Sequence, residues 1–114
     1  MSAAYDRDRL VELFGDDPET LAEIEREFFD TAQNAAREIA GTDDLATIAR
    51  AAHRLKGASG MVGAVPLHQI AEAVERAAKT HDLLSVRRMQ EQFHREILHV
   101  AEQAALLAEG AHVR

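Results

Sequence analysis

Apolar residues recur along this chain in steps of three and four, the period of one face of an α-helix. The first long run is Leu21, Ile24, Phe28, Ala32, Ala35 and Ile39. Asp16-Asp17-Pro18-Glu19 precedes it, placing a capping aspartate before a proline at the first helical position, and Gly41 closes it. A second run, Leu45, Ile48, Ala52, Leu55, Ser59 and Val62, lies between Asp43-Asp44 and Gly63. Pro66 opens a third run with Leu67, Ile70, Val74 and Ala78 on one face, and His81-Asp82 breaks it. The last run carries Val86, Met89, Phe93, Ile97, Val100, Ala104 and Leu107. A short helix is predicted near Asp8 to Phe14. No stretch alternates as a strand would. Four long amphipathic helices with short connections predict an all-α fold, an antiparallel four-helix bundle with a short additional N-terminal helix.

Length and composition narrow the reading. With 114 residues the chain fits one domain over residues 1–114 with one core. A formal net charge of −7 argues against nucleic acid, because phosphate backbones need a basic face. There is no cysteine, which excludes disulfides and thiolate chemistry. The start, Met1 to Arg7, has no apolar run behind a basic segment, and no apolar run approaches a membrane span. A cytoplasmic protein is expected, with no membrane partner; Met1 and the compact ends favour a free-standing chain.

The segment around His53 carries the candidate chemistry. On a helical wheel the apolar stripe centres roughly 130° from His53, so this side chain projects away from the core. Its neighbours three, four and seven residues away are Ala46, Ala49, Lys56, Gly57 and Gly60. The face thus holds one histidine, one lysine and otherwise small residues. Each helical glycine costs about 1 kcal/mol relative to alanine. For Gly57 the compensation is read as close approach of another surface; Gly63 is read as a helix end. A free imidazole, with a pKa around 6.5, is mostly neutral near neutral pH and is then a good nucleophile. Phosphoryl transfer needs in-line positioning and charge neutralisation more than a general base. Lys56 supplies a cation one turn along.

The run Ala52-His53-Arg54-Leu55-Lys56-Gly57-Ala58-Ser59-Gly60-Met61-Val62-Gly63-Ala64 closely resembles the signature of histidine-containing phosphotransfer (HPt) domains. Leu67, Ile70, Ala71, Val74-Glu75 and Arg76 resemble the family's following helix. The resemblance implies a bundle whose exposed histidine accepts a phosphoryl group from an aspartyl-phosphate of a receiver domain and passes it to another response-regulator receiver. His53 matches the phosphoacceptor and Lys56 the lysine near the phosphoryl group. Gly57 matches the glycine that makes room for the receiver, with Ala49 and Gly60 beside it as docking positions. Glu75 falls where the family often places a polar side chain close to the histidine, able to accept the Nδ1 proton; a solvated helix-face glutamate is the other reading. Ala58 stands where the family commonly has serine.

The implied partners are response-regulator receiver domains and a hybrid sensor kinase, with the chain itself a monomer. The resemblance implies no cofactor of its own, magnesium being supplied by the receiver partner. The chain is read as a phosphocarrier rather than an enzyme, because 114 residues leave no room for an ATP-binding kinase domain beside the bundle. Gly57-x-x-Gly60-x-x-Gly63 follows a helix and is not a dinucleotide pattern. Glu91-x-x-His94 and Glu96-x-x-His99 share one helix about 140° apart, so they do not converge and no metal site is expected. His68, His81, His94, His99 and His112 are read as surface or helix-end residues. The alternative function is an HPt-like module that binds receivers without carrying phosphate.

Overall fold

The computed structural model describes the backbone of residues 4–112 and the side chains of residues 4–105. Leu107 and His112 lie outside the described side chains. Five helices follow one another: α1 (Arg7–Phe14), α2 (Pro18–Ala40), α3 (Leu45–Met61), α4 (Val65–Lys79) and α5 (Leu83–His112), and no strand occurs among the described residues. The helix starts follow from local chemistry. The side chains of Asp6, Asp17 and Asp44 accept from backbone N–H groups of the first turns of α1, α2 and α3. Asp82 accepts from Ser85 N at the start of α5 in the same way. Each satisfies a donor that the helix itself leaves unpaired, worth about 1 kcal/mol.

α3 packs between α2 and α4, and α5 packs against α4 and α2, closing a four-membered ring. α1 lies outside this ring, against α2. The bundle is elongated, 49 × 24 × 23 Å. Phe28, Ala32, Ala35 and Ile39 of α2 meet Ile48, Ala52 and Leu55 of α3, Leu67, Ile70 and Val74 of α4, and Val86, Phe93, Ile97 and Val100 of α5 in one core. Fully burying such a large apolar side chain is worth roughly 1.5–3 kcal/mol, so the stripes hold the helices together more than propensity does.

Two helix ends and the chain start are organised beyond what periodicity shows. α3 ends in a Schellman motif: Ala64 N donates to Ser59 O at 2.9 Å and Gly63 N to Gly60 O at 3.3 Å, with Gly63 at φ +68°. α4 ends the same way, with His81 at φ +58° in the position glycine usually takes. The residues before α1 and its first turn strap across the end of α3, where Asp6 N donates to Val62 O and Arg9 Nε to Met61 O. Tyr5 is 2% exposed and its hydroxyl donates to the buried Glu25 carboxylate of α2. Burial, and then Glu25, push the Tyr5 hydroxyl far above its ordinary pKa. Gln103 of α5 accepts from Ala4 N and donates to Tyr5 O.

Gly63 is therefore more than a frayed end. A Cβ there would sit 2.7 Å from Asp6 Cβ, in a backbone conformation that already disfavours a side chain. Gly63→Ala is expected to lower stability by about 1–3 kcal/mol, read as the midpoint of urea unfolding. An unchanged midpoint would contradict the close packing of the strap on α3.

Candidate functional site

His53 sits in the middle of α3, on the side away from Ile48, Ala52, Leu55 and Ser59, all of which are fully buried. Its side chain is 66% exposed. The ring is nevertheless held. Nδ1 lies 2.9 Å from Glu75 Oε2, on the neighbouring helix α4. A carboxylate only accepts, so Nδ1 carries the proton and donates it. In the neutral ring Nε2 is then the nitrogen with the free lone pair.

Glu75 is not a solvated helix-face residue. It is 4% exposed, one residue on from the core Val74. Its Oε1 pairs with Lys56 Nζ at 2.7 Å, and its Oε2 pairs with Lys79 Nζ at 3.0 Å as well as with His53. Burial pushes the Glu75 carboxyl up. The hydrogen bonds from Lys56, Lys79 and His53 outweigh that and hold it down at about 2. Lys56 is correspondingly less free than its place on the His53 face implies: its side chain is 27% exposed and engaged by Glu75. The ammonium stands beside the imidazole but shares its charge with a buried anion.

The small residues around His53 divide by side. On the helical wheel Ala46, Gly57, Arg50 and Met61 fall about 20–80° to one side of His53, and all are exposed. Gly60, Ala49 and Lys56 fall about 20–60° to the other side, towards α4, and all are half-buried. Of the three predicted docking positions, Gly57 alone opens on free space, with nothing within 4 Å of a Cβ built there. Ala49 packs against the core. A Cβ at Gly60 would lie in contact with the His68 ring, 3.4 Å from Nδ1, so Gly60 faces a neighbouring side chain of the fold rather than open space. The open face is thus turned away from α4, towards Arg50, Arg54 and Gly57.

Two residues complete the site: Lys79, which the sequence did not single out, and His68, which it placed at the surface or a helix end. His68 Nδ1 donates to the backbone carbonyl of Lys56 at 2.9 Å, pinning α4 to α3 one turn from His53. It is therefore not simply a surface histidine, and a lone histidine four residues into a helix carries no signal for such a bond. Lys79 reaches Glu75 from one turn further along α4. The Glu75-x-x-x-Lys79 spacing is a familiar helical pair, but its meaning depends on knowing that Glu75 is buried. Among the described residues no group of three or more His, Cys, Asp or Glu side chains clusters as for a metal ion, and no helix is long and apolar enough to cross a membrane. On α5, Glu96 and His99 pair with each other, at 3.5 Å.

A family model described as Hpt domain matches residues 9–109. Comparison with curated proteins and with solved structures gives no match.

The depressed Glu75 carboxyl has a consequence for acid stability. A group whose folded pKa lies below its unfolded value stabilises the fold fully above the unfolded value, here 4.5, and progressively less as pH falls towards 2. The stability difference between the native chain and Glu75→Gln, measured by urea unfolding, is expected to shrink from pH 5 to pH 2. A difference independent of pH over that range would show that the carboxylate is not held in its charged form.

Proposed function

The chain belongs to the Hpt domain family, the phosphotransfer modules of two-component systems, and on that premise we propose that His53 is the residue that carries the phosphoryl group. The observation that supports this most directly is the His53–Glu75 pair. With Nδ1–H committed to a buried carboxylate, the ring is fixed in one tautomer and Nε2 is available as the nucleophile on an exposed side chain.

In the proposed reaction the Nε2 lone pair attacks the phosphorus of an aspartyl-phosphate on a receiver domain. The N–P bond forms as the bond from phosphorus to the aspartyl oxygen breaks, and the aspartate leaves as a carboxylate. The Nδ1 proton stays in place, so no general base is required. Donation to a second receiver runs the same steps backwards, which makes the chain a relay between two aspartates. Lys56, on the Oε1 side of Glu75, neutralises the phosphoryl oxygens as charge arrives. The magnesium ion belongs to the receiver partner.

Docking is proposed over Gly57 and the exposed side of α3. Arg50, Arg54, Lys56 and Lys79 stand around His53 against two carboxylates, Glu38 on Arg54 and Glu75 on both lysines, so a chain of net charge −7 presents a locally basic surface. That polarity suits an anionic aspartyl-phosphate site and favours encounter with it. A hybrid sensor kinase and response-regulator receivers are the partners this reading implies.

Incubation with a phosphorylated receiver domain and magnesium is expected to label the native chain, with His53→Gln taking up no label. Label of equal strength in His53→Gln would overturn the assignment, and receiver binding with no label on the native chain would support a docking module that carries no phosphate. Gly57→Gln is expected to slow transfer at least tenfold by blocking the open face while the helical circular dichroism is retained. Unchanged transfer in that variant would place docking elsewhere.

A further inference from the structure

The pairing of His53 with a buried glutamate raises a chemical difficulty. A carboxylate hydrogen-bonded to imidazole favours the imidazolium form, which has no lone pair and is not a nucleophile. Cations on the same carboxylate oppose that second protonation. Lys56 is one cation, but it pairs with Oε1, while the ring bonds to Oε2. Lys79 Nζ and His53 Nδ1 meet on the same oxygen, Oε2, at 3.0 and 2.9 Å. Sharing one oxygen puts the two nitrogens within about 6 Å of each other, where like charges still repel appreciably.

We propose that Lys79 is a positioning residue that keeps His53 a neutral nucleophile, by sharing Glu75 Oε2 with the ring so that the carboxylate orients the imidazole without driving it to imidazolium. Glu75 then holds one proton on Nδ1 and leaves Nε2 unprotonated. With two ammonium groups on it, the carboxylate attracts a further positive charge less than it would with Lys56 alone.

The other charged groups around the ring do not replace Lys79. On α3 they are Arg50 and Arg54, and Arg54 is drawn off to Glu38 of α2 at 2.6 Å. On α4, Glu72 and Arg76 pair with each other at 3.0 Å. Glu75 is the carboxylate that contacts the ring, and Lys79 is the cation that contacts the same oxygen. The Lys79 side chain is 64% exposed and lies i,i+4 from Glu75, a geometry that adds little stability by itself. Its removal leaves Glu75 paired with Lys56 and His53, so the fold survives.

The inference rests on His53 being the phosphoacceptor, but its main readout needs no phosphate. The His53 imidazole is titrated by nuclear magnetic resonance in the native chain, Lys79→Met and Lys79→Arg. Lys79→Met is expected to move the His53 midpoint upward by about half a pH unit, and Lys79→Arg to restore it. The pH profile of phosphoryl uptake from a phosphorylated receiver is expected to move in the same direction in Lys79→Met. An unchanged or lowered midpoint in Lys79→Met would overturn the proposal. So would an upward shift that Lys79→Arg does not reverse, because it would trace to lost packing instead of lost charge. Failure of the native chain to take up label, with the titration shift present, would count against phosphate carriage and leave the charge balance standing.

Discussion

Glu75 carries a negative charge at a seam between two helices where water scarcely reaches it. An isolated buried carboxylate would be expensive, and proteins retain one only where cations and hydrogen bonds surround it. Here three side chains do so, and they come from both sides of the seam: His53 and Lys56 from α3, Lys79 from α4. The carboxylate therefore ties the two helices at one register and aims the imidazole at the same time. An exposed histidine on a helix is ordinarily free to turn about its side-chain bonds. This one is held by a partner that cannot itself move into solvent.

The same seam decides which surface remains open. α4 lies against one side of the His53 face and takes Lys56, Ala49 and Gly60 into partial burial, with the His68 ring against Gly60 and bonded to the Lys56 carbonyl. The opposite side keeps Arg50, Arg54 and Gly57 exposed. Small residues on one helix face thus serve two ends. Gly60 faces a side chain of the fold itself, and Gly57 faces space that none of the described residues fills. At the far end of α3, Gly63 admits the strap that Tyr5, Asp6, Arg9 and Gln103 secure. That strap holds the helix end whose preceding turns carry His53 and Gly57.

Much of this was legible in the chain. The three-four spacing located every long helix, Asp17 and Asp44 marked the starts of two of them, and most of the described stripe residues form the core, with Ile24, Leu45 and Met89 half-buried against it. Tyr5 was not legible, because a single aromatic before the first helix has no period to announce its burial. Gly63 read as a plain helix end for a similar reason: a left-handed terminus and a close backbone approach call for the same residue.

The sequence by itself determined the helices, their buried stripes and the outward place of His53, since all three follow from the 3.6-residue period acting on the order of apolar and polar residues. It also determined that the run from His53 to Ala64 resembles one family's signature, and the family match over residues 9–109 agrees. Only the tertiary structure decided that Glu75 is buried rather than solvated, that Lys79 and Lys56 share it with His53, and that Gly60 faces inward while Gly57 faces out. Those outcomes depend on how α3 and α4 lie against each other. Periodicity within one helix places a residue on a face; it does not say how far the neighbouring helix extends over that face, and the charge of a carboxylate at the border depends on that distance.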